Sequence, residues 1–342
     1  MNPNVDHSHV KSGENLTTIA RKYGFGDWPV IYNFQSKEFQ RRHPNPNLIF
    51  PGDKLDIPSN TPAKLPDPEF SLSILDVNSG APFVNLTVRL RFPDMSERNA
   101  ITDRTGTVTV ISGPSCTFGL NDTFDLLDAI DGSDTPPIAY LEPKFRQSGI
   151  RVNSSFVFHI PDKRAVADSI VSKMKITRRS KWGKLKPDFV TMEQDWDYEI
   201  VALHHSGNSG ESNPLEIEQK HMVTEHQWQD VGYHYIIERD GSVFEGRHLA
   251  FKGSHVVLAN TGKIGILLTG DFESSRWNPN STTPSADQLK TAADLITELK
   301  SAFSTLTKLG GHKDYKKDTV CPGDQLYSLI PGLRTKLALG GP

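Results

Sequence analysis

A chain of 342 residues exceeds one ordinary core, and at about 100–200 residues per domain it implies two or three. Apolar residues make up 36% and charged residues 23%, with 17 Phe and 5 Trp, which excludes wholesale disorder. The 38 Lys plus Arg are matched by 41 Asp plus Glu, so the chain lacks the basic surplus that binding to nucleic acid requires.

In chain order, the opening MNPNVDHSHV has neither a basic start nor an apolar run, so no secretory signal peptide is expected. HVKSGENLTTIARKYG predicts a short strand, a turn at Ser12-Gly13, and a helix with Leu16, Ile19, Ala20 and Tyr23 on one face. Residues 28–34 read as a second short helix. NPNLIFPGDKLDIP gives a turn at Pro51-Gly52-Asp53 and a closing strand over 54–57. Pro62, Pro66 and Pro68 stiffen the next stretch into a linker over 59–69.

Residues 70–160 alternate apolar with polar side chains in FSLSILDVNSG, NLTVRLRFP, GTVTVISG and SSFVFHIP. Period 2 predicts antiparallel strands with one wet face, and several such strands predict a β-sandwich of immunoglobulin-like or transthyretin-like type. Cys116 has no His or Cys nearby and reads as a buried or half-buried thiol. This unit carries no chemistry and reads as a spacer or docking module.

From about Lys175 the pattern becomes mixed α/β. A buried strand is predicted over 199–205, a helix over 215–227 and a hairpin through Asp240-Gly241. KIGILLTGDF follows as a central strand, then a helix over 285–303 capped by Ser285. Two cysteines exclude a disulfide framework, and no apolar run is long enough for a membrane span.

Chemistry concentrates in this last unit. His204 and His205 end an apolar strand, His312 follows Gly310-Gly311, and Cys321 lies nine residues further on in CPGD. Two imidazoles and a thiolate suit tetrahedral Zn2+, with a fourth position left for water. Spacing alone does not compel this, because a strand-end His is commonly structural and a lone Cys commonly a small hydrophobe. His205 is expected to face away from His204, as alternate strand residues do. His221 and His226, placed on one helix, are expected to point too far apart to chelate together. The chain has no H-E-x-x-H pair, and HSGNSGE lacks a full G-x-S-x-G elbow, which argues against a zincin or a serine hydrolase.

Two resemblances sharpen these readings. Ser12-Gly13-Glu14-x-Leu16, Asn33 and Pro51-Gly52-Asp53 make residues 7–58 resemble the LysM domain, with an insertion over 37–46. That resemblance implies binding to polymers containing N-acetylglucosamine, such as peptidoglycan; the other reading is a small structural cap. RRSKWG, VALHHSG, WQDVGYHYIIERDGSVFEGR, GSHVVLANTGKIGILLTGDF and GHKDYKKDTVCPGD occur in this order. Over residues 176–335 they resemble the zinc-dependent N-acetylmuramoyl-L-alanine amidases of the peptidoglycan-recognition-protein family.

The amidase resemblance implies His204, His312 and Cys321 as zinc ligands, Tyr233 of Gly-Tyr-His as an active-site residue, and Thr319 as a second one. His255 and Asn260 are implied as substrate-binding, with a packing role as the alternative for His255. The interval from His312 to Cys321 is one residue longer than the family usually has, which bears on Thr319. The implied reaction is hydrolysis of the amide joining the lactyl group of N-acetylmuramic acid to L-alanine of the stem peptide, with Tyr233 stabilising the oxyanion.

The expectation is therefore a multidomain chain: a small α+β LysM-like unit (1–58), a linker (59–69), a β-sandwich (70–160) and an α/β amidase domain with a mixed central sheet and flanking helices (161–342). The expected partner is peptidoglycan, with LysM raising the local concentration of enzyme on the wall. A non-catalytic peptidoglycan-binding receptor is the reading from another class. A wall-cutting enzyme without a secretion signal needs a route other than Sec. The expectation is an antibacterial effector of type VI secretion acting in a target-cell periplasm, with an immunity protein and a secretion-machine component as partners. A phage endolysin released at lysis is the alternative.

Overall fold

The computed structural model describes residues 5–58, 69–92, 95–111, 123–131, 137–139, 147–151, 155–207, 212–274 and 282–342. Cys116 and nearly all of the expected linker lie outside the described residues.

The N-terminal unit runs β1 (Val5–His9), α1 (Leu16–Lys22), α2 (Pro29–Phe34), α3 (Lys37–Arg42) and β2 (Lys54–Pro58). β1 and β2 pair antiparallel, with His9 opposite Lys54. Asn15 and Thr18 cap each other's backbone at the start of α1, which lays Leu16, Ile19 and Ala20 onto a small core with Ile31, Phe39, Leu55 and Ile57. The segment read as an insertion holds a third helix, α3. The Ser36 hydroxyl caps it by accepting from Phe39 N, and Phe39 supplies its buried anchor. In so short a helix one apolar residue gives no visible period.

The middle unit contains β3 (Glu69–Asp76), β4 (Thr87–Arg91), β5 (Glu97–Ile101), β6 (Thr107–Ile111), β7 (Thr123–Asp131), β8 (Ile138–Ala139), β9 (Gln147–Arg151) and β10 (Phe156–Ile160). One sheet has the order β10-β3-β6; the other is β5-β4-β7-β8, with β9 also paired to β7. Phe70, Leu72 and Ile74 alternate inward along β3, and the rings of Phe70 and Phe92 lie 6.5 Å apart between the two sheets. One pairing departs from the antiparallel expectation: β10 runs parallel to β3. Alternation fixes the faces of a strand but not its direction. Direction follows from the connection, and the intervening strands β4 to β9 supply the crossover that a parallel pair needs.

This unit is fastened to the C-terminal one. Lys163, almost fully buried, donates from Nζ to Ala139 O at 2.7 Å and sits over the Trp196 ring. Gln194 accepts from Ala139 N and donates to Pro137 O. The two apolar cores form one cluster, whereas the N-terminal core stands apart.

The C-terminal unit continues with α4 (Lys163–Lys173), α5 (Arg179–Trp182), β11 (Ile200–His205), α6 (Pro214–Gln219), β12 (Tyr235–Ile237), β13 (Val243–Glu245), β14 (Lys263–Leu268), α7 (Ala286–Ala302), β15 (Lys308–Gly311), α8 (His312–Tyr315) and α9 (Asp324–Leu337). Its mixed sheet has the order β13-β12-β14-β11-β15; only the β12–β13 hairpin is antiparallel. β11 and β14 are buried nearly throughout, as central parallel strands are. Ser285 and Gln288 form a capping box at the start of α7.

The helix expected over 215–227 is shorter. α6 ends at Gln219 and passes into a π-helical turn, Lys220–Thr224. The wider turn overturns the ideal-helix argument that held His221 and His226 apart, since their ring centroids are 5.8 Å from each other. Among the described residues no helix is long and apolar enough to cross a membrane.

Candidate active site

The site sits at the C-terminal ends of the parallel strands. Register pairs Leu203 of β11 with Gly311 of β15, so the next residues on the two strands, His204 and His312, stand side by side. Their ring centroids are 4.7 Å apart. Cys321 closes the group from the loop before α9, with Sγ 3.6 Å from His204 Nδ1. One ligand atom from each of the three residues lies within 4.8 Å of the others.

These residues fit a zinc ion. Zinc–nitrogen bonds of about 2.0–2.1 Å and zinc–sulfur bonds of about 2.3 Å put tetrahedral ligands roughly 3.3–3.7 Å apart. The buried Nε2 of His312 has no hydrogen-bond partner among the described residues, as expected of a nitrogen kept for a metal. Burial, with His255 and His312 adding to it, holds the His204 imidazole well below its ordinary range, and burial lowers His312 to about 4. Both rings are therefore neutral near pH 7, the form that binds metal.

The longer loop before Cys321 is tied at its end. Lys313 N donates to Cys321 O at 2.9 Å, and Cys321 N donates to Thr319 Oγ1 at 3.2 Å. Thr319 thus orients the Cys321 backbone, and it is not among the residues lining the cleft.

A cleft of about 430 Å³ reaches the group at His312. Tyr233, His255, Asn260 and His312 line it, with the Tyr233 ring 5.0 Å from that of His204. Asn260 Oδ1 accepts from His255 N and Val256 N, which folds the wall carrying both residues. His205 is turned away, accepting from Phe272 N at Nδ1. The sequence reading did not single out Trp228, Val257 and Leu258 as cleft residues. Trp228 stacks on His226 at 4.2 Å, while Val257 and Leu258 stand exposed at the rim. Exposed apolar residues beside a polar site were the available signal, but exposure is not written in local sequence.

Residues 194–324 match the N-acetylmuramoyl-L-alanine amidase family. The endolysin of Klebsiella phage KP32 is 36% identical over 111 residues, 32% of this chain and 70% of that protein. Peptidoglycan recognition protein 1 of Rattus norvegicus is 29% identical over 164 residues, 45% of this chain and 85% of that protein. Among solved structures, an endolysin amidase from Clostridium intestinale URNW is 22% identical, covering 48% of this chain and 96% of its own, with a TM-score of 0.40. The chain belongs, through its C-terminal unit, to the N-acetylmuramoyl-L-alanine amidase family.

Proposed function

We propose that the protein is a zinc-dependent N-acetylmuramoyl-L-alanine amidase that hydrolyses the amide between the lactyl group of N-acetylmuramic acid and L-alanine of the stem peptide. The observation that carries this is the convergence of His204, His312 and Cys321 beneath a cleft that Tyr233 lines. Zinc, when bound, supplies a Lewis acid and lowers the pKa of water. The chain's own groups do the rest. The Tyr233 hydroxyl donates to the oxyanion that develops at the scissile carbonyl. Trp228, Val257 and Leu258 cover the apolar faces of the substrate and exclude bulk water. Asn260 holds the wall in shape, and Thr319 orients the Cys321 backbone. The leaving amine takes its proton from solvent or through Tyr233.

The second reading, a peptidoglycan-binding receptor without turnover, draws on the similarity to peptidoglycan-recognition proteins. The complete His-His-Cys set favours the enzyme. Mass spectrometry of muropeptides digested with and without a chelator separates the two. The enzyme releases stem peptides with a free L-alanine amino group, and the chelator abolishes them. Intact muropeptides in both arms would leave the receptor.

We further propose that residues 7–58 anchor the enzyme to the wall, on their LysM resemblance, with the middle unit as spacer. An antibacterial type VI effector with a cognate immunity protein accounts for a wall-cutting domain joined to these units; an endolysin is the alternative. Neutralisation of turnover by a protein encoded beside the effector is the expected outcome for the first.

A further inference from the structure

We propose that His255 is a positioning residue that decides which nitrogen of His204 faces the metal, through two imidazoles anchored on a backbone carbonyl. The polarity follows from the carbonyl end. Lys263 O can only accept, and it lies 3.4 Å from His255 Nε2, so that nitrogen carries the ring proton. A neutral imidazole has one N–H, which leaves His255 Nδ1 an acceptor. His255 Nδ1 lies 3.0 Å from His204 Nε2, which must then be the donor. His204 Nδ1 is left with its lone pair, and this is the atom 3.6 Å from Cys321 Sγ. No metal enters that derivation.

The seat of the His255 ring is built for one orientation. A Cβ on Gly253 would lie 2.4 Å from His255 Cδ2, and one on Gly265 would lie 2.5 Å from the same atom. Asn260 Oδ1 holds the His255 backbone from the cleft side. The two imidazoles meet nearly edge to face, at 85°. The purpose of this arrangement rests on the proposed zinc site, although its geometry does not. A ligand histidine whose other nitrogen donates is fixed in tautomer and orientation and made more basic.

The test uses the full-length protein, His255→Asn and His255→Leu. Asparagine puts Oδ1 where His255 Nδ1 was and so still accepts from His204; leucine does not. Two quantities are read: zinc affinity by competition with a chromophoric chelator, and the His204 ring tautomer by 15N–1H correlation in the zinc-free protein. We expect wild type to show the Nε2–H form at His204. His255→Leu should lose that signature and bind zinc about 10–100-fold more weakly, with His255→Asn between it and wild type. An Nδ1–H form in wild type overturns the proposal without any variant. So does unchanged zinc affinity in His255→Leu, or an equal loss in both variants. Failure of the amidase reading appears separately, as zinc-loaded wild type that releases no stem peptide.

Discussion

Cys321 is tied to its surroundings by both its backbone and its sulfur, and only the sulfur can be exchanged without disturbing the loop. Cys321→Ser keeps the shape and removes the soft donor, so zinc retention should fall steeply, while Cys116→Ser should leave it unchanged; elemental analysis after dialysis reads both. Full zinc occupancy in Cys321→Ser would remove the thiolate from the metal site. Tyr233→Phe is the complementary change. It should keep zinc and fold but lower turnover by roughly 10²–10³, the loss of one oxyanion donor, and wild-type release of stem peptide would remove Tyr233 from the mechanism. His204, His312 and Cys321, which the structure brings together, could be singled out in the sequence because each falls in a motif of the amidase resemblance. The link from His204 to His255 was not, because it joins side chains from distant segments through a ring orientation that only packing decides.

At the scale of elements, local rules read α7 well, since its cap and apolar face are both written in contiguous sequence. They failed at the π-helical turn after α6, where one extra residue per turn breaks the period on which the reading depends. The connections around this sheet share a device that no motif announced. His221 Nδ1 accepts from Gly232 N, His234 Nδ1 from Gly265 N, and His248 Nδ1 from Ala250 N. A proton on Nδ1 would face an N–H in every case, and burial lowers each imidazole to about 3. The unfolded rings titrate near 6.5. Unfolded chain therefore binds more protons than native protein between pH 6.5 and about 3, so this stability is complete above pH 6.5 and is lost as pH falls through that window. Each group can contribute up to about 1.4 kcal/mol per pH unit there. Urea midpoints should decline steadily from pH 7 to pH 4. A flat profile would show that these rings protonate without unfolding the loops they hold.

For the whole molecule, composition marks three stretches of differing pattern, but it does not give the strength of the junctions between them. Proline spacing and a change of period mark where one pattern stops; they do not say whether side chains cross the boundary. Here they do at one boundary: Lys163, seated over the Trp196 ring, and Gln194 bind the β8 edge of the middle unit to the C-terminal one. The N-terminal unit has a core of its own. Two truncations should therefore behave differently. Removing residues 1–58 should leave the thermal midpoint of the remainder and its rate on soluble muropeptides unchanged, and should slow attack on intact sacculi at low enzyme concentration, because the proposed tether is gone. Starting the chain at Arg164 removes Lys163 along with the middle unit, uncovers Trp196 and opens the Gln194 amide to water. That protein should melt at a lower temperature by several degrees, since the apolar cluster shared by the two units is opened to water at a cost of about 25 cal/mol per Å². Its rate per folded molecule on soluble substrate should still match the full chain, because His204, Tyr233, His312 and Cys321 all remain. Equal melting temperatures for the two truncations would mean that the middle unit rests on the C-terminal one without stabilising it. A matched loss of rate on soluble and insoluble substrate in the shorter protein would instead assign the middle unit a part in shaping the cleft.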